Sequence, residues 1–147
     1  MRISTKGEYG IRALIELTNR YGEARPIQSS EIASRQKVPE SYLEQLLTTL
    51  RRAGFIRSVR GPQGGHALIR PPGEIRVSDV IEALEGSIML VDCLDETSQC
   101  NKNGGCAQRD MWAAVREAIL GVLENTTIAD LAERERAAQV GGTRYHI

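Results

Sequence analysis

Three cysteines lie close together in the second half of the chain and are its only cysteines: Cys93, Cys100 and Cys106. Their spacing is Cys-x6-Cys-x5-Cys, and the residues between them are mostly small and polar, with two adjacent glycines. This filling predicts a loop rather than a helix or strand. A single cysteine is usually a small buried apolar residue, whereas three thiols in an uncovered loop are typical of a site for a soft metal.

The chemistry of such a site has three interpretations. Three thiolates leave one coordination position open, because iron–sulfur clusters and structural zinc sites both use four protein ligands. On spacing alone, an iron–sulfur cluster and a zinc ion are supported almost equally. The third interpretation needs no metal, since neighbouring exposed thiols can form a reversible disulfide.

The composition indicates an ordinary globular domain of 147 residues, with 41% hydrophobic and 26% charged residues. Aromatic residues are only 4%, which argues against a surface that stacks the bases of single-stranded nucleic acid. The N-terminus lacks the apolar run of a signal peptide, and no segment has membrane-spanning length. We therefore expect a cytoplasmic protein without a membrane partner, in which thiols favour metal or redox chemistry over structural disulfides.

The formal net charge of zero conceals two halves of opposite sign. Residues 1–76 carry 13 Lys and Arg against 7 Asp and Glu, a net of +6. Residues 77–147 carry 6 against 12, a net of −6. This division favours a polyanion as the partner of the first half, although an uneven distribution by chance is the alternative.

The basic half predicts three helices. The first starts at Thr5, since Thr5-x-x-Glu8 has capping-box spacing before a helical apolar pattern. A short second helix is capped by Ser29 or Ser30, and a third runs from Glu40 to Arg52. Its leucines recur at i, i+3, i+4 and i+7, which leaves a polar face of side chains that can contact base edges. Two helices joined by a tight turn predict a helix-turn-helix.

Two short β-prone runs follow, at 55–60 and 66–70, on either side of a Gly/Pro-rich turn. They predict a β-hairpin, and a hairpin directly after a helix-turn-helix is a wing. Arg57, Arg60 and Arg70 would give it charge for phosphates or the minor groove. The alternative is a solvated surface strand with no ligand.

The acidic half predicts a helix capped by Ser78 and then, after the cysteine segment, a long helix from about residues 108–110 to Asn125. Its apolar stripe exceeds what one small winged domain can cover. We therefore expect a homodimer, with packing against the chain's own N-terminal helix as the alternative. Thr127-x-x-Asp130 has capping-box spacing and opens a last amphipathic helix. The sequence offers no Ser/His/Asp set and no phosphate-binding glycine loop at a helix start, so we expect no enzymatic activity.

Four segments in one order resemble the bacterial Rrf-two family of transcription regulators: residues 2–10, 41–47, 59–66 and 79–86, which read RISTKGEYG, SYLEQLL, VRGPQGGH and DVIEALEG. The resemblance covers nearly the whole chain to about Leu131. It implies a mainly α fold with a small β-hairpin wing: a winged helix-turn-helix followed by a long dimerisation helix. The implied organisation is a DNA-binding domain at 1–76, a connecting helix and sensor loop at 77–107, dimerisation and C-terminal helices at 108–138, and a flexible tail at 139–147.

The resemblance also assigns DNA contacts. It implies a palindromic site on double-stranded DNA, bound by a homodimer. The major-groove positions of the family fall on Ser41, Tyr42, Glu44 and Gln45, and the wing arginine that enters the minor groove falls on Arg60.

The cysteine triplet is similar to the cluster-binding, IscR-like branch of the family. It implies an iron–sulfur cluster on Cys93, Cys100 and Cys106, with 2Fe-2S ahead of 4Fe-4S and zinc behind both. In that branch a His three residues after the last Cys completes the ligands, but here Arg109 stands there. Glu8 is the candidate fourth ligand, with the capping box as its alternative role; Asp92, Asp95 or an external thiol are further candidates.

The function implied is regulation, most often repression, of iron–sulfur cluster biogenesis genes according to cluster occupancy. The alternative, as in the CymR-like branch, is a repressor of cysteine and sulfur metabolism or of a nitric-oxide or redox response. It would be controlled by thiol oxidation or a protein partner and would need no cluster.

Overall fold

The computed structural model describes residues 3–88, 90, 94 and 106–145, with side chains described as far as residue 141. Within them the chain forms six helices, a two-stranded antiparallel sheet and a 3-10 turn at Pro72–Glu74. The elements are α1 (Thr5–Thr18), α2 (Ser29–Gln36), α3 (Glu40–Arg52), β1 (Ile56–Val59), β2 (Gly65–Leu68), α4 (Val77–Glu85), α5 (Ala107–Glu124) and α6 (Ile128–Tyr145). The predicted class, mainly α with a β-hairpin wing, is confirmed.

The core is organised around α1, which contacts α2, α3, α4 and α6. Leu14 of α1, Ile32 of α2 and Leu43 of α3 are completely buried, and Val80 of α4 and Ile128 of α6 extend the same cluster. Burial of aliphatic side chains from five helices in one cluster gives the domain most of its stability. The core therefore holds α3 rigidly from behind and leaves its other face to solvent.

Helix α3 has the predicted bounds, and its leucines form the predicted buried face. Its four leucines are all buried, and the remaining positions are exposed or half-buried. Pro39 occupies the N-cap position, and Lys37 before it adopts a left-handed conformation with φ of 55°. This local reversal between α2 and α3 makes the tight turn of a helix-turn-helix.

The start of α1 differs from the predicted capping box. Ser4 is the N-cap and Thr5 is already helical, so Glu8 lies one position too far along to reach back to the cap. The acceptor is instead Glu85 at the end of α4, whose carboxylate accepts from the N–H of Ser4 at 2.6 Å and of Gly7 at 3.2 Å, and also bonds the Ser4 hydroxyl. The Thr5–Glu8 box is therefore wrong, because a tertiary partner takes its place.

The predicted serine caps are also wrong. Gln28 is the N-cap of α2 and Arg76 that of α4, and neither makes a side-chain capping bond. Ser29, Ser30 and Ser78 lie inside the first turns. In both cases a β-bridge to another part of the chain fixes the backbone just before the helix: Ile27 pairs with His66 before α2, and Arg76 pairs with Thr127 before α4.

The hairpin has a regular register from Ile56 opposite Leu68 to Val59 opposite Gly65. Ile56 and Leu68 are buried and fasten the base of the hairpin to the core. A β-bridge between Ile27 and His66 joins β2 to the segment before α2. The wing is thus attached to the helix-turn-helix on both of its sides.

Both C-terminal helices begin close to the predicted positions, and α5 also ends close to its predicted end. The Thr127–Asp130 capping box is present: the Thr127 N–H donates to the Asp130 carboxylate at 2.9 Å, and the Asp130 N–H donates to the Thr127 hydroxyl at 3.1 Å. The helical assignment of α6 runs to Tyr145, beyond residue 138, where the predicted tail begins. Within the described residues, no helix combines the length and apolarity needed to cross a membrane.

Candidate functional site

The exposed face of α3 carries the predicted DNA-reading residues. Ser41, Glu44 and Gln45 are exposed, on the side opposite the buried leucines. Glutamine can pair with the edge of adenine, and glutamate can accept from the amino group of cytosine. The packing of α3 places three of the four predicted reading side chains on one solvent-facing surface.

Tyr42, in the first turn of α3, packs against α1 instead of projecting into solvent. Its ring packs edge-on against Tyr9, with centroids 5.8 Å apart, and its hydroxyl is 3.3 Å from the Thr5 hydroxyl. Arg12 in turn lies 5.6 Å from the centre of the Tyr9 ring. These contacts tie the first turns of α1 to the start of the reading helix, a connection that the spacing of the sequence does not indicate.

Arginines of the wing fall into two groups. Arg57 and Arg60 are exposed, and neither forms an ion pair with the described residues. Arg70 instead lies over the Phe55 ring, 4.8 Å from its centre, with its Nε buried. Arg57 and Arg60 are therefore available to an external anion, whereas Arg70 packs at the base of the hairpin.

A cleft of about 380 Å³ separates α3 from the wing. Glu40 and Glu44 of α3 and Arg60 of the wing line it, as do Ser29 and His66. A reading helix and a basic hairpin on either side of an open cleft is the arrangement by which a winged helix-turn-helix contacts the major groove and the adjacent backbone or minor groove.

His66 lies at the junction of three elements, a role that sequence reasoning missed. Its Nε2 is 2.9 Å from the Ser29 hydroxyl on α2, and its Nδ1 is 2.8 Å from the Ser58 hydroxyl on β1. Burial lowers the pKa of His66 below its ordinary value; Arg51 acts in the same direction and Glu44 opposes it. With both ring nitrogens in hydrogen bonds to serine hydroxyls, the His66 imidazole is not available as a metal ligand.

The cysteine site is described in part. Cys93 and Cys100 lie outside the described residues, as do Asp92, Asp95 and His146. Cys106 is half-exposed and directly precedes α5, and its side chain makes no capping hydrogen bond. The N–H groups of a first helical turn carry partial positive charge, which favours an anionic group such as a metal-bound thiolate. Within the described residues, no three His, Cys, Asp or Glu side chains form a metal-binding group.

Glu8 is exposed on α1, and its carboxylate makes no hydrogen bond or ion pair with the described part of the chain. The capping role that competed with ligation is taken by Glu85. Arg109, at the position of the missing histidine, is exposed in the first turn of α5. Glu8 therefore remains a free carboxylate, available to a ligand outside the described residues.

Helix α5 has no buried residue, although it is 18 residues long and contacts α4. Met111 is 51% exposed, Val115 38% and Val122 66%, while Trp112 is half-buried. An amphipathic helix gains its stability mainly from burying its apolar face. The apolar stripe of α5 is thus left uncovered by the rest of its own chain as far as it is described.

A family model described as Rrf2, iron-dependent transcriptional regulator, matches residues 3–134. The chain belongs to the Rrf2 family. It is a DNA-binding transcription regulator and not an enzyme, as predicted.

Individual relatives come from two groups within the family. The transcriptional regulator CymR of Bacillus subtilis is 41% identical over 132 residues, covering 90% of each chain. Its solved structure, described as that of the global cysteine regulator of B. subtilis, has a TM-score of 0.78 at 38% identity and covers 91% of this chain and 98% of CymR. The structure of T. potens IscR has a TM-score of 0.75 at 38% identity, over 95% of this chain and 91% of IscR. The regulator IscR of Salmonella paratyphi B is 32% identical over 99% of this chain and 87% of its own length.

Proposed function

We propose that this Rrf2 regulator binds a palindromic promoter site as a homodimer and that an iron–sulfur cluster on its three-cysteine segment controls the binding, most directly at genes of cluster biogenesis. The observation that carries the proposal is the position of the cysteines in the chain: they come after α4, which packs on the DNA-binding domain, and before α5, whose apolar face is uncovered by the described residues. In this proposal, residues 1–76 bind DNA, residues 77–107 sense cluster occupancy and residues 108–138 form the dimer. The protein would act in the cytoplasm, where bacterial DNA lies.

The DNA-binding part of the proposal is supported by the two sides of the cleft. Ser41, Glu44 and Gln45 are presented to the major groove by α3, while Arg60 on the wing enters the adjacent minor groove. Tyr42 contributes at the edge of the interface, where its contacts with α1 fix the start of the reading helix. The basic first half of the chain adds a favourable, salt-dependent term to binding.

Dimerisation is supported by the apolar stripe of α5. A second copy packed on this face would bury Met111, Val115 and Val122 and would place two reading helices on one side of the dimer. Symmetric helix-turn-helix dimers contact two half-sites that are one helical turn of DNA apart, which is why a palindromic site follows.

The cysteine site is chemically suited to a cluster. Cys106 offers a half-exposed thiol and Glu8 an exposed carboxylate, and neither side chain has a hydrogen-bonded partner among the described residues. Cys93, Cys100 and Cys106 would hold the cluster, with Glu8 of the same or the partner chain as fourth ligand. When bound, the cluster would supply a centre that responds to iron supply and oxidants. A 2Fe-2S cluster is proposed, ahead of 4Fe-4S and zinc.

Anaerobic purification followed by absorption spectroscopy and analysis of iron, sulfide and zinc tests the cofactor. Coloured protein with bound iron and acid-labile sulfide, both lost in Cys106→Ala, is the expected result. Glu8→Ala should lose cluster more rapidly than Glu23→Ala, a matched removal of an exposed carboxylate just beyond the other end of α1. Colourless protein that resists reconstitution would contradict the proposal.

A second candidate function is favoured by the similarity to CymR. A regulator of cysteine metabolism would use the same DNA surface and dimer, with a protein partner or thiol oxidation as its signal and no cluster. Cys→Ala substitutions should abolish regulation if a cluster or thiol oxidation is the signal and leave it intact if a partner protein acts on another surface. The iron and sulfide analysis then separates a cluster from a thiol switch, since a thiol switch binds neither iron nor sulfide.

A further inference from the structure

The wing is joined to the helix-turn-helix by contacts that converge on one residue of β2. The His66 backbone exchanges two hydrogen bonds with Ile27, at 2.9 Å and 2.7 Å. Its side chain bonds Ser29, the first residue of α2, at 2.9 Å and Ser58, its cross-strand neighbour, at 2.8 Å. A neighbouring contact, from the Gln28 side chain to the carbonyl of the wing residue Pro62, spans 3.3 Å and is solvent-exposed.

The two residues before His66 lie so close to neighbouring backbone that a side chain does not fit at either of them. Gly65 has φ of 149°, and a Cβ at this position would lie 2.5 Å from the carbonyl oxygen of Ile27. At Gly64 a Cβ would lie 2.1 Å from the carbonyl oxygen of Val59. Only glycine permits both approaches, so β2 lies directly against the segment that leads into α2.

The two serine bonds of His66 have different consequences. Ser58 and His66 are both in the hairpin, so their bond braces the hairpin internally. Ser29 belongs to α2, so its bond is a half-buried side-chain link between the wing and the helix-turn-helix. Ser29 and His66 both line the cleft that separates Arg60 from the reading face, so their bond constrains the wing at this cleft.

We infer that His66 is a positioning residue for DNA recognition: by binding Ser29, it holds the wing at the angle that lets Arg60 enter the minor groove while α3 occupies the major groove. The inference rests on the proposed function, in which Arg60 contributes to binding. His66 itself need not contact DNA. Because it keeps the wing ordered in the free protein, it lowers the entropic cost of DNA binding.

A double-mutant cycle with a matched pair of serine variants tests this inference. The probe is a duplex recovered by in vitro selection with wild-type protein, and affinity is measured by fluorescence anisotropy. Ser29→Ala removes the link to α2, whereas Ser58→Ala removes a bond of similar length to the other nitrogen of the same imidazole. Arg60→Ala is introduced into the wild type and into each serine variant, and thermal melting confirms that every variant folds.

The expected result is that Arg60→Ala weakens binding about 10-fold in the wild type and in Ser58→Ala, but only about 2-fold in Ser29→Ala, where the arginine is no longer held in place. His66→Ala should behave like Ser29→Ala. If the effects of Ser29→Ala and Arg60→Ala simply multiply, the inference fails although the regulator still binds DNA through its wing. If Arg60→Ala has no effect in the wild type, both the inference and the proposed role of the wing fail.

Discussion

The bond network at the start of α1 permits a quantitative prediction for Glu85. Its carboxylate accepts from two backbone N–H groups and one hydroxyl of the first turn of α1, across 81 positions of sequence between Ser4 and Glu85. In Glu85→Ala, Ser4 and Gly7 lose this acceptor; the Ser4 bonds are exposed to water, whereas the Gly7 bond is half-buried. A helix N-terminus that loses its cap is destabilised by about 1 to 2 kcal/mol.

The assay is thermal unfolding at fixed protein concentration, because dimerisation would make the midpoint depend on concentration. For a chain of this size, the expected decrease in Tm is about 3 to 6 °C. Glu85→Gln keeps an acceptor oxygen but loses its charge, so its decrease should be intermediate. Glu82→Ala, which removes an exposed carboxylate from the preceding turn of α4, is the matched control and should change stability by less than about 0.5 kcal/mol.

The reasoning is refuted if Glu85→Ala and Glu82→Ala melt at the same temperature. In that case water would satisfy the N–H groups of α1 as well as Glu85 does, and the contact between α1 and α4 would rest on apolar packing alone. Gly10 lies in that packing, since a Cβ there would be 2.3 Å from a methyl carbon of Leu84.

Two further predictions concern the cap of α6 and the turn of the wing. The Thr127 N–H, and then its hydroxyl, lower the pKa of Asp130. A carboxyl group whose pKa is lower in the folded than in the unfolded state stabilises the folded protein when the pH is above the unfolded-state pKa, about 3.9. That stabilisation is lost as the pH falls through the folded-state pKa. The difference in unfolding free energy between wild type and Asp130→Asn, measured by urea unfolding, should therefore have its full value at neutral pH and disappear in acid. A difference that is independent of pH would contradict this. Gly65→Ala should weaken DNA binding and shift the Ile27 backbone resonances in NMR spectra, because its Cβ meets the Ile27 carbonyl, and unchanged spectra would show that the hairpin adapts.

The elements that could be predicted from sequence are those whose signals are local. Pro39 and Gly54 bracket α3 in the sequence and predict its two ends, and the Gly/Pro run between two β-prone segments predicts the wing. The Thr127–Asp130 box gave the start of α6, because both of its partners lie within one turn. In each case, the residues that define the element are close together in the chain.

The predictions that failed depended on tertiary partners. Thr5 and Glu8 have capping-box spacing, but Glu85 from a distant helix takes the acceptor role. Ser29 begins α2 without capping it, because pairing with the wing fixes the preceding backbone and its hydroxyl bonds His66 instead. No spacing in a single sequence distinguishes a serine that caps a helix from one that anchors a hairpin 37 residues away.

In the candidate site, too, the features set by local spacing were predictable and those set by tertiary contacts were not. Exposure of Ser41, Glu44 and Gln45 follows directly from the apolar periodicity of α3. The half-buried position of Tyr42 does not, since it depends on Tyr9 and Thr5 of α1. The cluster ligands remain a prediction from the cysteine spacing and the family, with Cys106 the one cysteine among the described residues.

In the proposed function cluster occupancy controls DNA binding, and one comparison of affinities tests this most directly. The affinity for a selected duplex is measured anaerobically for cluster-loaded protein and for the same preparation after the cluster is removed by a chelator. We expect the two affinities to differ at least about 5-fold, the lower range of typical allosteric coupling, and expect Cys106→Ala to have the affinity of cluster-free protein in both treatments. Equal affinities for loaded and cluster-free wild-type protein would contradict the claim and would leave a winged-helix regulator that responds to another signal.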